Sequence, residues 1–190
     1  MNIRIFGLSS HSHIDGPGDR LTIYFQGCLR HCDGCNNPDS WPLHGGDKWD
    51  TEKIKEVIMM TPHLNGVSFS GGEPFLQPIQ ALELARYAHT LGLTVWCYSG
   101  YTYEEIFEWD DSRFELLKEI DILVDGPFEK DKRTRDLLWR TTSNQRLIDV
   151  KASLTISQRP TEKDPGVAKA VEYTKIDVVP RILTEVKIPQ

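Results

Sequence analysis

The chain has 190 residues, a net charge of −6 and a hydrophobic share of 39%, enough for one sizeable core. Its acidic balance, with no basic cluster to offset it, argues against a nucleic-acid-binding surface. No apolar run approaches the roughly 20 residues of a membrane span. The N-terminus Met1-Asn-Ile-Arg-Ile lacks the apolar core of a signal peptide, and the four cysteines do not make a secreted disulfide scaffold, so a cytoplasmic setting is expected.

In chain order, short apolar runs alternate with amphipathic stretches, which predicts an α/β fold with mainly parallel strands. Residues 3–8 read as an added strand, antiparallel at an edge. Residues 21–25, 67–70, 93–99, 120–125 and 146–151 read as the near-continuous apolar strands of a sheet covered by helices. That makes five or six strands. A helix over 51–60 places Ile54, Val57 and Ile58 on one face. A second, over 78–91, aligns Leu84, Tyr87, Ala88 and Leu91 and stops at Gly92. Thr102-Tyr-Glu-Glu105 is a capping box opening a third helix; Asp110-Asp111-Ser112 breaks it, and Ser112-Arg-Phe-Glu115 opens another. The main domain spans residues 1–154, and 155–190 form a C-terminal extension. Within it, 159–165 reads as a linker, and 171–186 as one or two added strands or a tail that orders with a partner.

The strands are each followed by unusual punctuation. Residues 21–25 lead into Gln26-Gly-Cys-Leu-Arg-His-Cys-Asp-Gly-Cys35, 67–70 into Gly71-Gly72-Glu73-Pro74, 93–99 into Gly100-Tyr101, and Asp125 into Gly126-Pro127-Phe128. In a parallel α/β sheet these loops share the C-terminal edge, where active sites of such folds lie. They are therefore expected to form one site.

Cys28, Cys32 and Cys35 have the spacing C-x3-C-x2-C, with no fourth cysteine nearby. An ordinary 4Fe–4S cube takes four cysteines, one per iron; three would leave one iron open for a substrate. Two other readings stand beside this one. His31 with the three thiols would give a Cys3His zinc site, a non-catalytic interaction module, although adjacent His31 and Cys32 reach one zinc with difficulty. Cys32-Asp-Gly-Cys35 alone would make a redox pair. Downstream, Gly71 and Gly72 let a backbone approach a ligand closely, and Glu73 offers a carboxylate to a cation. A plain strand-to-helix turn has the same residues, so the weight lies in the two motifs together.

The pair of motifs resembles the radical S-adenosylmethionine (SAM) enzymes. The resemblance implies a partial (βα) barrel, a 4Fe–4S cluster on Cys28, Cys32 and Cys35, and SAM on its open iron with its amino group at Gly71-Gly72-Glu73. Asp15-Gly-Pro-Gly-Asp-Arg20 and Cys35-Asn-Asn-Pro-Asp-Ser-Trp41 look like the activases of glycyl-radical enzymes. Ser99-Gly-Tyr-Thr-Tyr-Glu-Glu105, Ile122-Leu-Val-Asp-Gly-Pro-Phe128 and Trp139-Arg-Thr-Thr-Ser-Asn-Gln-Arg146 resemble the branch acting on anaerobic ribonucleoside-triphosphate reductase. The match extends to about Leu154. It implies that reductase as partner and a reducing electron donor such as flavodoxin. Another glycyl-radical enzyme, or a small molecule, is the alternative substrate.

Several residues carry narrower expectations. Asp125 ends a buried strand, where it would face SAM's ribose or sulfonium or else serve as a capping carboxylate. Many radical SAM proteins have an aromatic residue just before the last cluster cysteine; here Gly34 stands there. Adenine then falls to the backbone at Gly34 and Cys35, to Asn36, or to an apolar residue from elsewhere. Asn144 and Gln145 suit either loop backbone or SAM. His11 and His13 read as a solvated loop, and Cys97 as a buried, inert thiol.

Overall fold

The computed structural model describes residues 1–156 and 181–182. One sheet runs through it in the order β3-β1-β2-β4-β5-β6-β7-β8. Its strands are β1 (Asn2–Ser12), β2 (Arg20–Phe25), β3 (Asp47–Asp50), β4 (Gly66–Gly71), β5 (Thr94–Tyr98), β6 (Ile122–Asp125), β7 (Arg146–Asp149) and β8 (Arg181–Ile182). The helices are α1 (Thr51–Met60), α2 (Pro78–Thr90), α3 (Tyr103–Phe107), α4 (Ser112–Lys118) and α5 (Val150–Ile156).

The four central strands, β2, β4, β5 and β6, are parallel, because helices carry the chain back between them. β1 and β3 on one flank and β7 and β8 on the other are antiparallel. Among the described residues the edges β3 and β8 do not pair, and the sheet stays open as in a partial barrel.

Strand periodicity sorts the side chains. Leu21, Ile23 and Phe25, Val67 and Phe69, Val95 and Cys97, and Leu123 face the helices. There they join Ile54 and Ile58 of α1, Ala81, Leu84, Ala85 and Ala88 of α2, and Leu116 and Leu117 of α4 in the main core. A second apolar cluster, Trp96, Val124 and Leu147 with Tyr98, Ile122 and Trp139, lies on the other, inner face. That face is closed at the N-terminal ends of the strands by Arg20, fully buried. Its guanidinium donates to Ser68 Oγ at 2.7 Å, to the Val67 carbonyl at 2.7 Å and to the Thr94 carbonyl at 3.0 Å, and it stacks over Trp96.

Some expectations need correction. The strand at 146–151 does not join the parallel set: β7 is antiparallel because residues 126–145 hold no α-helix, only one short 3-10 turn, and fold back. It also ends at Asp149, whose carboxylate accepts from Ala152 N at 2.9 Å and starts α5. β1 is antiparallel as expected but lies inside the sheet, with the unforeseen β3 at the edge. His11 lies in β1, not in a loop, and its Nδ1 is 2.7 Å from Asp19 Oδ2. The linker at 159–165 lies outside the described residues, as does all of 171–186 except Arg181 and Ile182, which pair with β7.

Candidate functional site

The cluster loop is held by backbone bonds before any ligand arrives. Gly27 N donates to the Ser40 carbonyl at 2.7 Å, Cys28 N to the Trp41 carbonyl at 3.0 Å, and Cys35 N to the Cys32 carbonyl at 3.1 Å. All three thiols are partly exposed and line one cavity of about 460 Å³. Burial pushes the Cys28 thiol up from its ordinary value. The cavity is also lined by Asn36, by Ser70 to Glu73, by Ser99 and Gly100, and by Gly126. The loops after β2, β4, β5 and β6 thus form one site at the C-terminal edge of the parallel strands.

The second motif is built into the first. Gly72 N donates to the Phe25 carbonyl and Glu73 N to the Gly27 carbonyl, both at 2.8 Å. Gly71 has φ +90, and a Cβ there would lie 2.8 Å from Phe25 N and O; one on Gly72 would lie 2.4 Å from Gly27 O. The two glycines are therefore needed to seat this loop against the cluster loop. Glu73 is 1% exposed. Its carboxylate accepts from Phe75 N at 3.1 Å, from Ser99 Oγ at 3.1 Å and from Gly100 N at 2.9 Å. Burial pushes its pKa up to about 7, although these donors favour the charged form.

Asp125 belongs to a different arrangement. It is fully buried and does not line the cavity. Its Oδ2 accepts from Tyr103 N at 2.7 Å and its Oδ1 from Arg146 Nε at 3.0 Å; Arg146 also reaches Glu104 at 2.6 Å. The carboxylate caps α3 and pairs with Arg146, whose pKa those two acids raise. The contact to ribose or sulfonium therefore gives way to the capping role. Gly34 also lies off the cavity, with φ +75. A Cβ there would sit 3.3 Å from Lys130 Cδ and 3.4 Å from Phe128 Cε1. Asn144 holds loop backbone, its Nδ2 donating to the Pro127 carbonyl at 2.8 Å; Gln145 lines the cavity, with its Oε1 accepting from Thr141 N at 3.1 Å. Cys97 is fully buried in the core.

Sequence reading assigned no role to the rings of Trp41, Phe128 and Trp139, to Tyr24 and Tyr98, or to Arg140, all of which line the cavity. Phe128 and Trp139-Arg140 stand inside motifs already singled out, and that was the available signal. His31 stacks on Trp41 with ring centroids 4.9 Å apart and is not a cavity residue. Among the described residues no three His, Cys, Asp or Glu side chains converge on one metal position. With its ring packed on Trp41 and off the cavity, His31 does not join the three thiols as a Cys3His set needs. A cube spreads its thiolates over separate irons, and three soft donors around one cavity, with the fourth cysteine deep in the core, fit such a group with one iron left open.

Three thiols at the open edge of a partial α/β barrel define an iron–sulfur protein with a single cluster, and residues 14–148 match the family model of the 4Fe-4S single cluster domain. The anaerobic ribonucleoside-triphosphate reductase-activating protein of Salmonella typhi is 32% identical over 140 residues, 70% of this chain and 89% of that one. Its counterpart in Vibrio cholerae is 34% identical over 141 residues, 70% and 88% of the two chains. The pyruvate formate-lyase-activating enzyme of Clostridium pasteurianum is 35% identical over 127 residues, but these make up 62% of this chain and 53% of that enzyme. The chain belongs to the radical SAM activases of glycyl-radical enzymes, in the branch of the anaerobic ribonucleoside-triphosphate reductase-activating proteins.

Proposed function

We propose that the protein generates a glycyl radical on anaerobic ribonucleoside-triphosphate reductase through reductive cleavage of SAM. Cys28, Cys32 and Cys35 would hold a 4Fe–4S cluster, which when bound would supply the one electron for reductive cleavage of SAM and so the oxidant for hydrogen-atom removal from the reductase's glycine. The chain's own contribution is position and exclusion of water. Glu73 is the acceptor for SAM's ammonium group, buried at the cavity wall with Ser99 and Gly100 fixing its carboxylate. Gly71 and Gly72 leave room for methionine beside the cluster loop. Cys35 and Asn36 supply polar contacts to adenine, and Phe128, which lines the cavity, supplies the ring that position 34 lacks. The electron donor is a reducing protein such as flavodoxin, in the cytoplasm.

The observation that carries this reading is the single cavity shared by the three thiols and Glu73. Its test is electron paramagnetic resonance on the cognate reductase after anaerobic reconstitution with iron, sulfide, dithionite and SAM. A glycyl radical is expected, and changing the reductase's radical glycine to alanine removes it. Formation of 5′-deoxyadenosine without a reductase radical would overturn the partner and leave the chemistry; another glycyl-radical enzyme, as the Clostridium pasteurianum relative suggests, would then be the substrate.

A further inference from the structure

Two hydrogen-bond donors at the cavity have no acceptor among the described residues. The Tyr98 hydroxyl and the Arg140 Nε are buried without a partner, and both residues line the cavity. Tyr98 ends β5 with its ring in the inner apolar cluster. Burial raises its pKa, so the phenol stays protonated and able to donate. Arg140 follows Trp139, which packs edge-on against Trp96 at 5.4 Å. The guanidinium makes one long contact, 3.4 Å from Nη1 to the Gln145 carbonyl, and no carboxylate among the described residues pairs with it. The other cavity arginine, Arg30, is already engaged, 3.9 Å from Glu105 and stacked over Tyr101 at 4.9 Å. It also sits on the Glu73 side, lowering that carboxylate's pKa.

A buried donor left unmade is costly, and two in one cavity call for a ligand with two acceptor oxygens. SAM's carboxylate is one candidate. Position favours another. The thiols and Glu73 come from the loops after β2 and β4, whereas Arg140 belongs to the loop between β6 and β7, on the far flank of the sheet. Trp139, next to Arg140, and Phe128 give this side of the cavity an apolar lining, which suits uncharged main chain better than a second charged group.

We propose that the Tyr98 hydroxyl and the Arg140 guanidinium hold the backbone carbonyls flanking the glycine of the protein substrate. This rests on the function proposed above. The two residues position the polypeptide and leave SAM to the opposite wall. They recognise main chain, so selectivity at this point comes from the narrow space beside the rings.

The test uses the reconstituted holoenzyme and a short peptide centred on the reductase's radical glycine. Tyr98→Phe and Arg140→Gln are expected to weaken peptide binding about tenfold, the worth of roughly one hydrogen bond, with SAM affinity unchanged. Bound SAM still yields 5′-deoxyadenosine on reduction, but fewer glycyl radicals per molecule formed. Weakened SAM binding with unaltered peptide binding would overturn the assignment in favour of SAM's carboxylate, and unaltered binding of both would overturn it outright. Arg140→Lys, which keeps a cation but not the fork, separates lost charge from lost geometry if the glutamine variant folds poorly. Absence of 5′-deoxyadenosine even from the parent protein would instead refute the function proposed above.

Discussion

Adding one methyl group at Gly72 should unseat the cluster loop. Gly72 is outside the left-handed region, so contact alone decides the outcome. Its Cβ would stand 2.4 Å from the Gly27 carbonyl oxygen and 2.9 Å from the Gly27 carbonyl carbon. Close C···O contacts stay beyond about 3.3 Å, so two backbones must part by roughly 0.9 Å. Neither is a flexible side chain that can swing away. Separation stretches the 2.8 Å bonds from Gly72 N to the Phe25 carbonyl and from Glu73 N to the Gly27 carbonyl. Overpacking and a strained hydrogen bond together cost about 2–4 kcal/mol. For a domain of this size that lowers Tm by roughly 5–15 °C. Gly7→Ala is the control, since a Cβ there meets nothing within 4 Å. Thermal unfolding of both variants without iron gives the stability change, and iron per chain after reconstitution gives the effect on the site. A Gly72→Ala protein as stable and as iron-replete as Gly7→Ala would refute the claim that the two loops are one unit.

Replacing any of Cys28, Cys32 or Cys35 with alanine is expected to abolish the intact cluster. Cys97→Ala keeps it and costs on the order of 1 kcal/mol of packing; iron and sulfide analysis decides. Glu73, with its pKa near 7, is neutral and a poor partner for ammonium at lower pH. If the proposed contact is to the charged carboxylate, SAM affinity is expected to fall up to tenfold per unit as pH drops below about 7. Glu73→Ala should weaken binding by roughly 1.5–3 kcal/mol at pH 8 and flatten that profile, as followed by equilibrium dialysis. Arg146→Ala strands the buried Asp125 carboxylate and should cost about 3–5 kcal/mol in denaturant unfolding. A cost below about 1 kcal/mol would show that the pair is not structural.

The legible parts were those written locally. Cysteine spacing, the Gly-Gly-Glu-Pro turn and the apolar strand cores are short-range patterns, and each recurs in the structure. β3 was not legible, because Asp47-Lys-Trp-Asp50 has no apolar run and is a strand only by pairing with β1. Nor was the partner of Asp125. Arg146 lies 21 residues away and is brought alongside by the antiparallel register of β6 and β7. The direction of β7 depended on whether a helix filled residues 126–145, and that stretch is instead held by polar contacts such as Asn144 to Pro127. The cavity rings were visible as residues but not as neighbours.

Gly34 and Phe128 make an exclusive pair. Space above the glycine is already taken by the Phe128 ring and the Lys130 stem. An aromatic side chain restored at position 34 would collide with the one across from it, besides straining a backbone at φ +75. The ring on this side of the site comes from the segment after β6 and not from the cysteine loop. Two walls that are distant in sequence are thereby tied: bulk at position 34 would need a smaller residue at 128 and would still meet the strain of the left-handed backbone.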